Sequence, residues 1–333
     1  MVNTGKKTIF SGVKPSGDLH LGNYLGALSQ WVELQDQYDC IFCVVDYHAI
    51  TVKQDPADLN RRTLEIVKHY LASGINPERS IIFQQSDVTE HTELAWILNC
   101  VARMSDLNKM TQFKDKAGEN QENVSVGLFD YPALMASDIL LYQTDAVPVG
   151  DDQVQHVELT RTLARRFNQQ FSEVFKIPEV VIRKEGARIM ALDDPAKKMS
   201  KSGQGAAGYI ALADTPEEAE KKIMRAVTDS GDSVIYDKEQ KPALANLLTI
   251  YSLLDHTPIK DLEASYRGKG YAEFKHDLAG VVKKFLAGYH LKFNCFRDED
   301  VKEILKQGMA KAQPLARETI AKAKRAIGIN INR

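Results

Sequence analysis

Four cysteines in 333 residues, no apolar run near the roughly 18 residues of a membrane span, and no surplus of either charge: these are the first shortages in the sequence. Cys40, Cys43, Cys100 and Cys295 are too sparse for a disulfide framework and suit a reducing compartment. Lysine and arginine number 43 against 45 aspartate and glutamate, for a net charge of −2. A whole-molecule polycation for nucleic acid is therefore excluded, and any such charge must be local. Met1 to Lys7 is polar and lacks a leader pattern, so a cytoplasmic protein with no membrane partner is expected. Internal repeats, low-complexity tracts and a P-loop are also missing.

Cys40 and Cys43 have the spacing of a metal or redox pair. They sit inside the apolar run Cys40–Val45, which reads as a buried strand, and residues three apart on a strand face opposite ways. With no second pair, no metal site is expected. Local charge does occur near the end. Lys306, Lys311, Arg317, Lys322, Lys324, Arg325 and Arg333 stand against the single acid Glu318. A solvated helix face and an RNA-facing patch are equally open readings.

What is present is an alternation of strands and helices. Strands are expected at Thr8–Ser11, Cys40–Val45, Ser80–Phe83, Asp145–Val149 and Val180–Ile182. Tyr24, Leu25, Leu28, Trp31 and Val32 form a helical stripe between the first two. Asp55-Pro56 opens the next helix, Leu64, Val67 and Leu71 line its inner face, and Gly74 closes it. The expected fold class is α/β, a doubly wound parallel (Rossmann-like) sheet with a helical insertion and a helical C-terminal domain. The boundaries are a catalytic domain over 1–205, an insertion at about 89–142, and a helical domain over 206–333. Asp193 to Gly208, polar and glycine-rich, reads as a mobile loop; its Gly203-x-Gly205-x-x-Gly208 follows no strand and is taken as flexibility.

Three segments carry chemistry. Strand one runs through Lys14-Pro15-Ser16-Gly17-Asp18-Leu19-His20-Leu21-Gly22-Asn23 into a helix N-terminus, where free N–H groups and the dipole favour an anion. A glycine- and proline-rich turn with an incidental histidine is the plain alternative. Lys197-Lys198-Met199-Ser200-Lys201-Ser202 places ammonium groups on a loop that can close over polyphosphate. Tyr131, Met135 and Asp138, spaced by four and three, share one helix face. An aromatic ring, a soft sulfur and a carboxylate suit an indole, which is apolar and carries one N–H donor. The plain alternative is a core helix with Asp138 paired to an internal Lys or Arg.

Pro15-Ser16-Gly17-x-Leu19-His20-Leu21-Gly22-Asn23 resembles the HIGH signature of the class I aminoacyl-tRNA synthetases, with Asn23 in place of the final histidine, as in their tryptophanyl branch. Lys198-Met199-Ser200-Lys201-Ser202 is similar to the KMSKS signature at every position, although Gly203 stands where an acid is common. Leu134–Tyr142 resembles the indole-binding segment of the tryptophanyl branch. Asp46–Thr51, Met110–Lys114, Val147–Gln153, Gly186–Met190 and Ala226–Ser230 resemble further family segments, with Tyr47 for a usual Gln and Asp151 for a usual Glu.

The resemblance implies activation of L-tryptophan by ATP with Mg2+ and transfer to tRNA(Trp) by a homodimer. It implies catalytic roles for His20, Lys198 and Lys201. It implies ATP contacts at Lys14, Pro15, Ser16, Gly22, Asn23, Gly150, Asp151, Asp152, Ile189, Lys198, Met199, Ser200, Lys201 and Ser202. Tryptophan contacts fall at Asp138, Tyr131, Met135, Gln153, Phe10 and His48; a lone histidine such as His48 is more often structural. No metal is held by the protein itself, Mg2+ being carried by ATP. The rival readings are a tyrosine enzyme of the same class and a non-catalytic sensor; Met135 with Asp138 disfavours the first, and the intact His20, Lys198 and Lys201 disfavour the second.

Overall fold

The structure, a computed structural model, describes residues 5–113, 124–182, 188–201 and 205–329, with the backbone alone at Asp151 and Ile182. Five parallel strands form the sheet: β1 (Thr8–Val13), β2 (Asp39–Val44), β3 (Ile81–Gln84), β4 (Ala146–Val149) and β5 (Glu179–Ile182). Their order is β3-β2-β1-β4-β5. The chain winds outward from β1 to one edge, returns, and winds to the other. A crevice therefore opens at the carboxyl ends of β1 and β4, the switch point where ligands bind in such sheets.

The pleat sorts the strand residues as their spacing requires. Cys40, Phe42 and Val44 enter one core with Trp31, Val67 and Tyr70; Ile41 and Cys43 enter the other with Leu94, Leu98 and Ile139. Cys40 and Cys43 are both buried, on opposite faces of the sheet. Burial on this scale, at about 25 cal/mol per Å2 of apolar surface, fixes the register, because a one-residue slip would turn each face inside out.

Helix α1 follows β1 in three pieces, Leu21–Asn23, a π-helical stretch Tyr24–Leu28, and Ser29–Leu34. The apolar stripe predicts a regular helix here, and the wide turn that begins at Tyr24 is a departure from it. Helix α2 (Pro56–Ser73) starts on Asp55, whose carboxylate accepts from the Ala57 and Asp58 N–H groups at 3.0 Å, and stops at a left-handed Gly74. Between β3 and β4 lie α3 (Glu90–Asn99) and α4 (Val126–Leu140), and α5 (Val154–Gln170) follows β4.

The rest is helical: α6 (Pro216–Arg225), α7 (Pro242–Asp255), α8 (Ile259–Ser265), α9 (Tyr271–Asn294) and α10 (Asp298–Ala326). Leu21 and Leu25 of α1 share a core with Met199, Ile223, Leu247 and Phe274. Helix α10 instead returns to the sheet. A Cβ on Gly308 would sit 1.7 Å from the Ile82 carbonyl oxygen, so only glycine lets this helix lie on β3. Part of the terminal basic charge is spent here: Arg317 pairs with Glu90 at 3.0 Å, and Lys324 pairs with Glu93. Among the described residues no helix is long and apolar enough to cross a membrane.

Candidate active site

A cavity of ≈ 310 Å3 lies at the switch point, at the small end of the roughly 300–1,000 Å3 range of small-molecule sites. Its lining draws on five parts of the chain, one of them Gln112 from the stretch between α3 and α4. The end of β1 brings Phe10, Gly12 and Lys14; the end of β4 brings Gly150 and, beyond it, Gln153; α4 brings Tyr131, Met135 and Asp138; the turn after β2 brings His48. Six tryptophan candidates and two ATP candidates from the sequence thus meet in one space.

Asp138 anchors it. The residue is 1 % exposed, and a carboxylate so deep needs donors. Three side chains supply them. His48 Nε2 donates to Oδ2 at 2.7 Å, while Gln85 Nε2 and His91 Nδ1 donate to Oδ1, each at 2.6 Å. Burial pushes the Asp138 carboxyl up, but the His48 charge and the bonds from His48 and His91 outweigh it and hold it well below the usual range. Tyr142 OH completes the chain with a hydrogen bond to His91 Nε2 at 2.7 Å. The internal partner of Asp138 is thus two histidines and a glutamine, not a Lys or Arg. Four lone-pair positions less three donors leave one, on Oδ2.

Nearby, Tyr131 OH bonds His156 Nε2 at 2.8 Å, and its ring meets His48 edge-on at 6.2 Å. Burial raises the Tyr131 phenol to about 12, so it stays neutral. Phe10 stacks on Tyr142 at 5.7 Å. Gln85 and His91 escape the sequence reading. The available signal was His91 itself, which shares the inward stripe of α3 with Leu94 and Leu98, an odd place for a histidine without a partner.

The second half of the site surrounds the His20 turn. His20 Nδ1 accepts from the Asn23 N–H at 3.3 Å, and Asn23 Oδ1 accepts from the His20 N–H at 3.0 Å, a reciprocal cap. Desolvation, then the Lys198 charge, pushes the His20 pKa down to about 4. The ring is therefore neutral at pH 7, and with Nδ1 accepting, the proton sits on Nε2 as a donor. Gly22 has a nearer reason than ligand approach. A Cβ there would lie 3.0 Å from His20 Nδ1 and 3.4 Å from Met199 Cβ.

The lysine segment is pinned where the sequence suggests mobility. Ala191 N–H donates to Lys197 O at 2.8 Å and Met199 N–H to Ile189 O at 2.9 Å. Met199 and Ile189 are both 1 % exposed in the core shared with α1. Their side chains thus face the core, leaving backbone for any ATP contact. No strand forms at Arg188–Met190, only a bridge between Met190 and Lys198. Lys198 Nζ stands 3.9 Å from Asp152 Oδ1, two residues past the cavity-lining Gly150, and Lys201 Nζ bonds Asp18 Oδ2 at 2.5 Å, two residues before His20. The two halves are thereby joined from Asp138 to Lys201. Of the remaining candidates Pro15 is buried, Ser16 exposed and Ser200 half-buried. Ser202, Gly186 and the Asp151 side chain lie outside the described residues.

Comparison with known proteins follows the same outline. Residues 2–287 match the family described as "tRNA synthetases class I (W and Y)". A tryptophan–tRNA ligase of Helicobacter pylori is 51% identical over 324 residues, covering 97% of this chain and 99% of its own. That of Bacillus subtilis is 51% identical over 329 residues, covering 98% and 99%. Among solved structures, a tryptophanyl-tRNA synthetase from Mycoplasma pneumoniae has a TM-score of 0.90 at 37% identity, covering 97% of this chain and 98% of its own. One from Campylobacter jejuni, complexed with ADP and tryptophan, has a TM-score of 0.81 at 36% identity, covering 96% and 99%.

Proposed function

The chain belongs to the class I tRNA synthetases for tryptophan and tyrosine, its activity is the ATP-dependent joining of tryptophan to tRNA, and on that premise we propose how the two halves of the site divide the work. The cavity holds the indole, with Asp138 Oδ2 accepting its N–H at the one position left by His48, Gln85 and His91. Met135 and Phe10 flank the ring, while Gln153 and Lys14 reach the amino-acid head group and the nucleotide. The observation that carries this reading is the anchored Asp138 carboxylate facing a cavity of ≈ 310 Å3.

Activation is an in-line displacement. A tryptophan carboxylate oxygen forms a bond to the α-phosphorus, the bond from that phosphorus to the α–β bridging oxygen breaks, and pyrophosphate leaves. His20 Nε2–H and the Lys198 and Lys201 ammonium groups meet the charge that builds on the leaving phosphates. Gly22, Asn23, Gly150, Asp151 and Asp152 border the nucleoside, and backbone of Ile189, Met199 and Ser200 completes the described set, with Ser202 proposed as a further ATP residue. Mg2+ carried in with ATP would add positive charge at the phosphates. The terminal ribose hydroxyl of the tRNA then attacks the adenylate carbonyl, and AMP leaves.

The division into a catalytic unit to residue 205 and a helical unit after it supplies a surface for the anticodon. Ile50, Trp96, Met104 and Val126 are large apolar side chains, 59 to 80 % exposed, on and beside the insertion, which supports burial against a second copy. A cytoplasmic location goes with this role. The deciding assay is tryptophan-dependent ATP–pyrophosphate exchange. Exchange driven by tryptophan and strongly weakened in Asp138→Ala is the expected outcome; exchange driven by tyrosine would overturn the reading.

A further inference from the structure

Asp18 occupies an unusual position between cations. On one side it accepts from Lys201 at 2.5 Å, and the Lys201 stem passes 3.9 Å from where a Cβ on Gly17 would begin. On the other side Asp18 lines a cleft of ≈ 420 Å3 together with Arg61, Arg62, Glu65 and His69. The two arginines differ. Arg61 donates to Asp58 at 3.1 Å and to Glu65 at 2.7 Å. Arg62 reaches Asp58 only at 3.6 Å, and its Nε is buried with no hydrogen-bond partner among the described residues. The Lys201 hydrogen bond leads in holding the Asp18 carboxyl below its ordinary value; burial opposes it, and the charges of Lys201, Arg62 and Arg61 add to it.

We propose that Asp18 is a positioning residue with two partners: it holds Lys201 beside the site, competes with ATP for that ammonium, and passes its own charge to Arg62 across the cleft when Lys201 turns to phosphate. The inference rests on Lys201 as a phosphate ligand and adds what controls it. A lysine stem has many rotamers, and a single carboxylate keeps the head near its work without holding it tightly. An exposed pair is weak, so polyphosphate, with its several charges, displaces it readily. Arg62 is the receiver because Arg61 already has two acceptors.

The test is tryptophan-dependent pyrophosphate exchange with the full chain, varying ATP at low and high salt. Asp18→Asn is expected to lower KM for ATP roughly two- to five-fold, with kcat within about two-fold, and the gain shrinks with salt. Asp18→Glu keeps the wild-type value. Arg62→Gln raises KM for ATP about two-fold, and does nothing in the Asp18→Asn background. In a Lys201→Ala background Asp18→Asn leaves KM unchanged. A purely structural Asp18 would instead lower Tm and kcat without regard to Lys201. A rise in KM for ATP in Asp18→Asn, or the same fall with Lys201 absent, overturns the proposal. If Lys201→Ala alone retained full exchange, the phosphate reading of Lys201 would fail as well; a slow Lys201→Ala with additive Asp18→Asn sinks the two-partner role alone.

Discussion

At Asp138 a carboxylate 1 % exposed takes three side-chain hydrogen bonds, whereas at Lys201 an ammonium whose side chain is 44 % exposed holds a single carboxylate. The first arrangement cannot move without stranding buried donors. The second can exchange its partner at small cost. Recognition of one side chain calls for a fixed acceptor, because an analogue lacking the N–H then leaves a buried anion position unfilled. Stabilising a departing pyrophosphate calls for charge that strengthens as the reaction proceeds. The contrast in burial thus fits the contrast between the two tasks proposed for these residues.

Removing the movable charge is the harshest way to break this comparison. Lys201→Ala should lower the rate of tryptophan activation by about 10²–10³-fold, with tryptophan affinity little changed, as seen by pre-steady-state adenylate formation. An equal loss in tryptophan affinity would mean that the two ends are not separable.

Acid separates them by pH window, although stability falls with acid at both. His20 is held neutral, with a folded pKa of about 4 against 6.5 for the free group. The unfolded chain therefore takes up this proton first, and stability falls as pH drops from about 6.5 to 4, by at most on the order of 3 kcal/mol. Asp138 is depressed as an acid, so the stability it contributes is present above the ordinary carboxylate pKa and is lost only below it. The phosphate end should thus weaken several pH units before the tryptophan end. Urea denaturation at pH 7, 5.5 and 4.5 should show a steeper decline in the wild type than in His20→Asn. His69, also held neutral at about 4, leaves a residual slope in both. Parallel slopes would contradict the buried neutral histidine.

Asp138→Ala comes next in size. Loss of one hydrogen bond to a charged acceptor, roughly 1.5–3 kcal/mol, predicts a fall of about 10–150-fold in kcat/KM for tryptophan with KM for ATP retained. Gln85, His48 and His91 lose their acceptor too, so Tm should drop, and the kinetics belong well below it. Unchanged tryptophan kinetics would refute the assignment.

How much of this was legible beforehand depended on how local the cause was. Asp55 and Gly74 bracket α2 where the sequence places its ends, because caps act on the adjoining turn. Cys40 and Cys43 face opposite ways because the strand period is two. Asp138, His20 and Lys201 were found through short motifs, whose spacing is a local property. The partners of Asp138 were not, since Gln85 and His91 reach it from positions 53 and 47 residues away. Nor was the seat of α10 on β3, where Gly308 meets Ile82. The anchoring of Met199 was hidden as well: a polar, glycine-rich stretch reads as loose until the core that receives its one large apolar side chain has been assembled from α1 and the late helices.

The smallest effect sharpens the comparison within the lysine loop itself. Lys197 carries the same charge as its neighbours, lies one residue from Lys198, and is 65 % exposed at its side chain. Its ammonium turns back onto Asp194 at 2.9 Å, and its carbonyl is taken by Ala191 N–H, so its partners lie within the loop and not on the His20 turn or the β4 end. If the loop worked as a diffuse positive field, any of its lysines would matter to a similar degree, and the losses would fade together with salt. If positioned ammonium groups do the work, Lys197→Ala should change the activation rate by less than about two-fold, as expected for an exposed i,i+3 pair. A loss in Lys197→Ala approaching that of Lys201→Ala at moderate ionic strength would show that the loop acts through its charge alone, and the distinction drawn between its three lysines would have no basis.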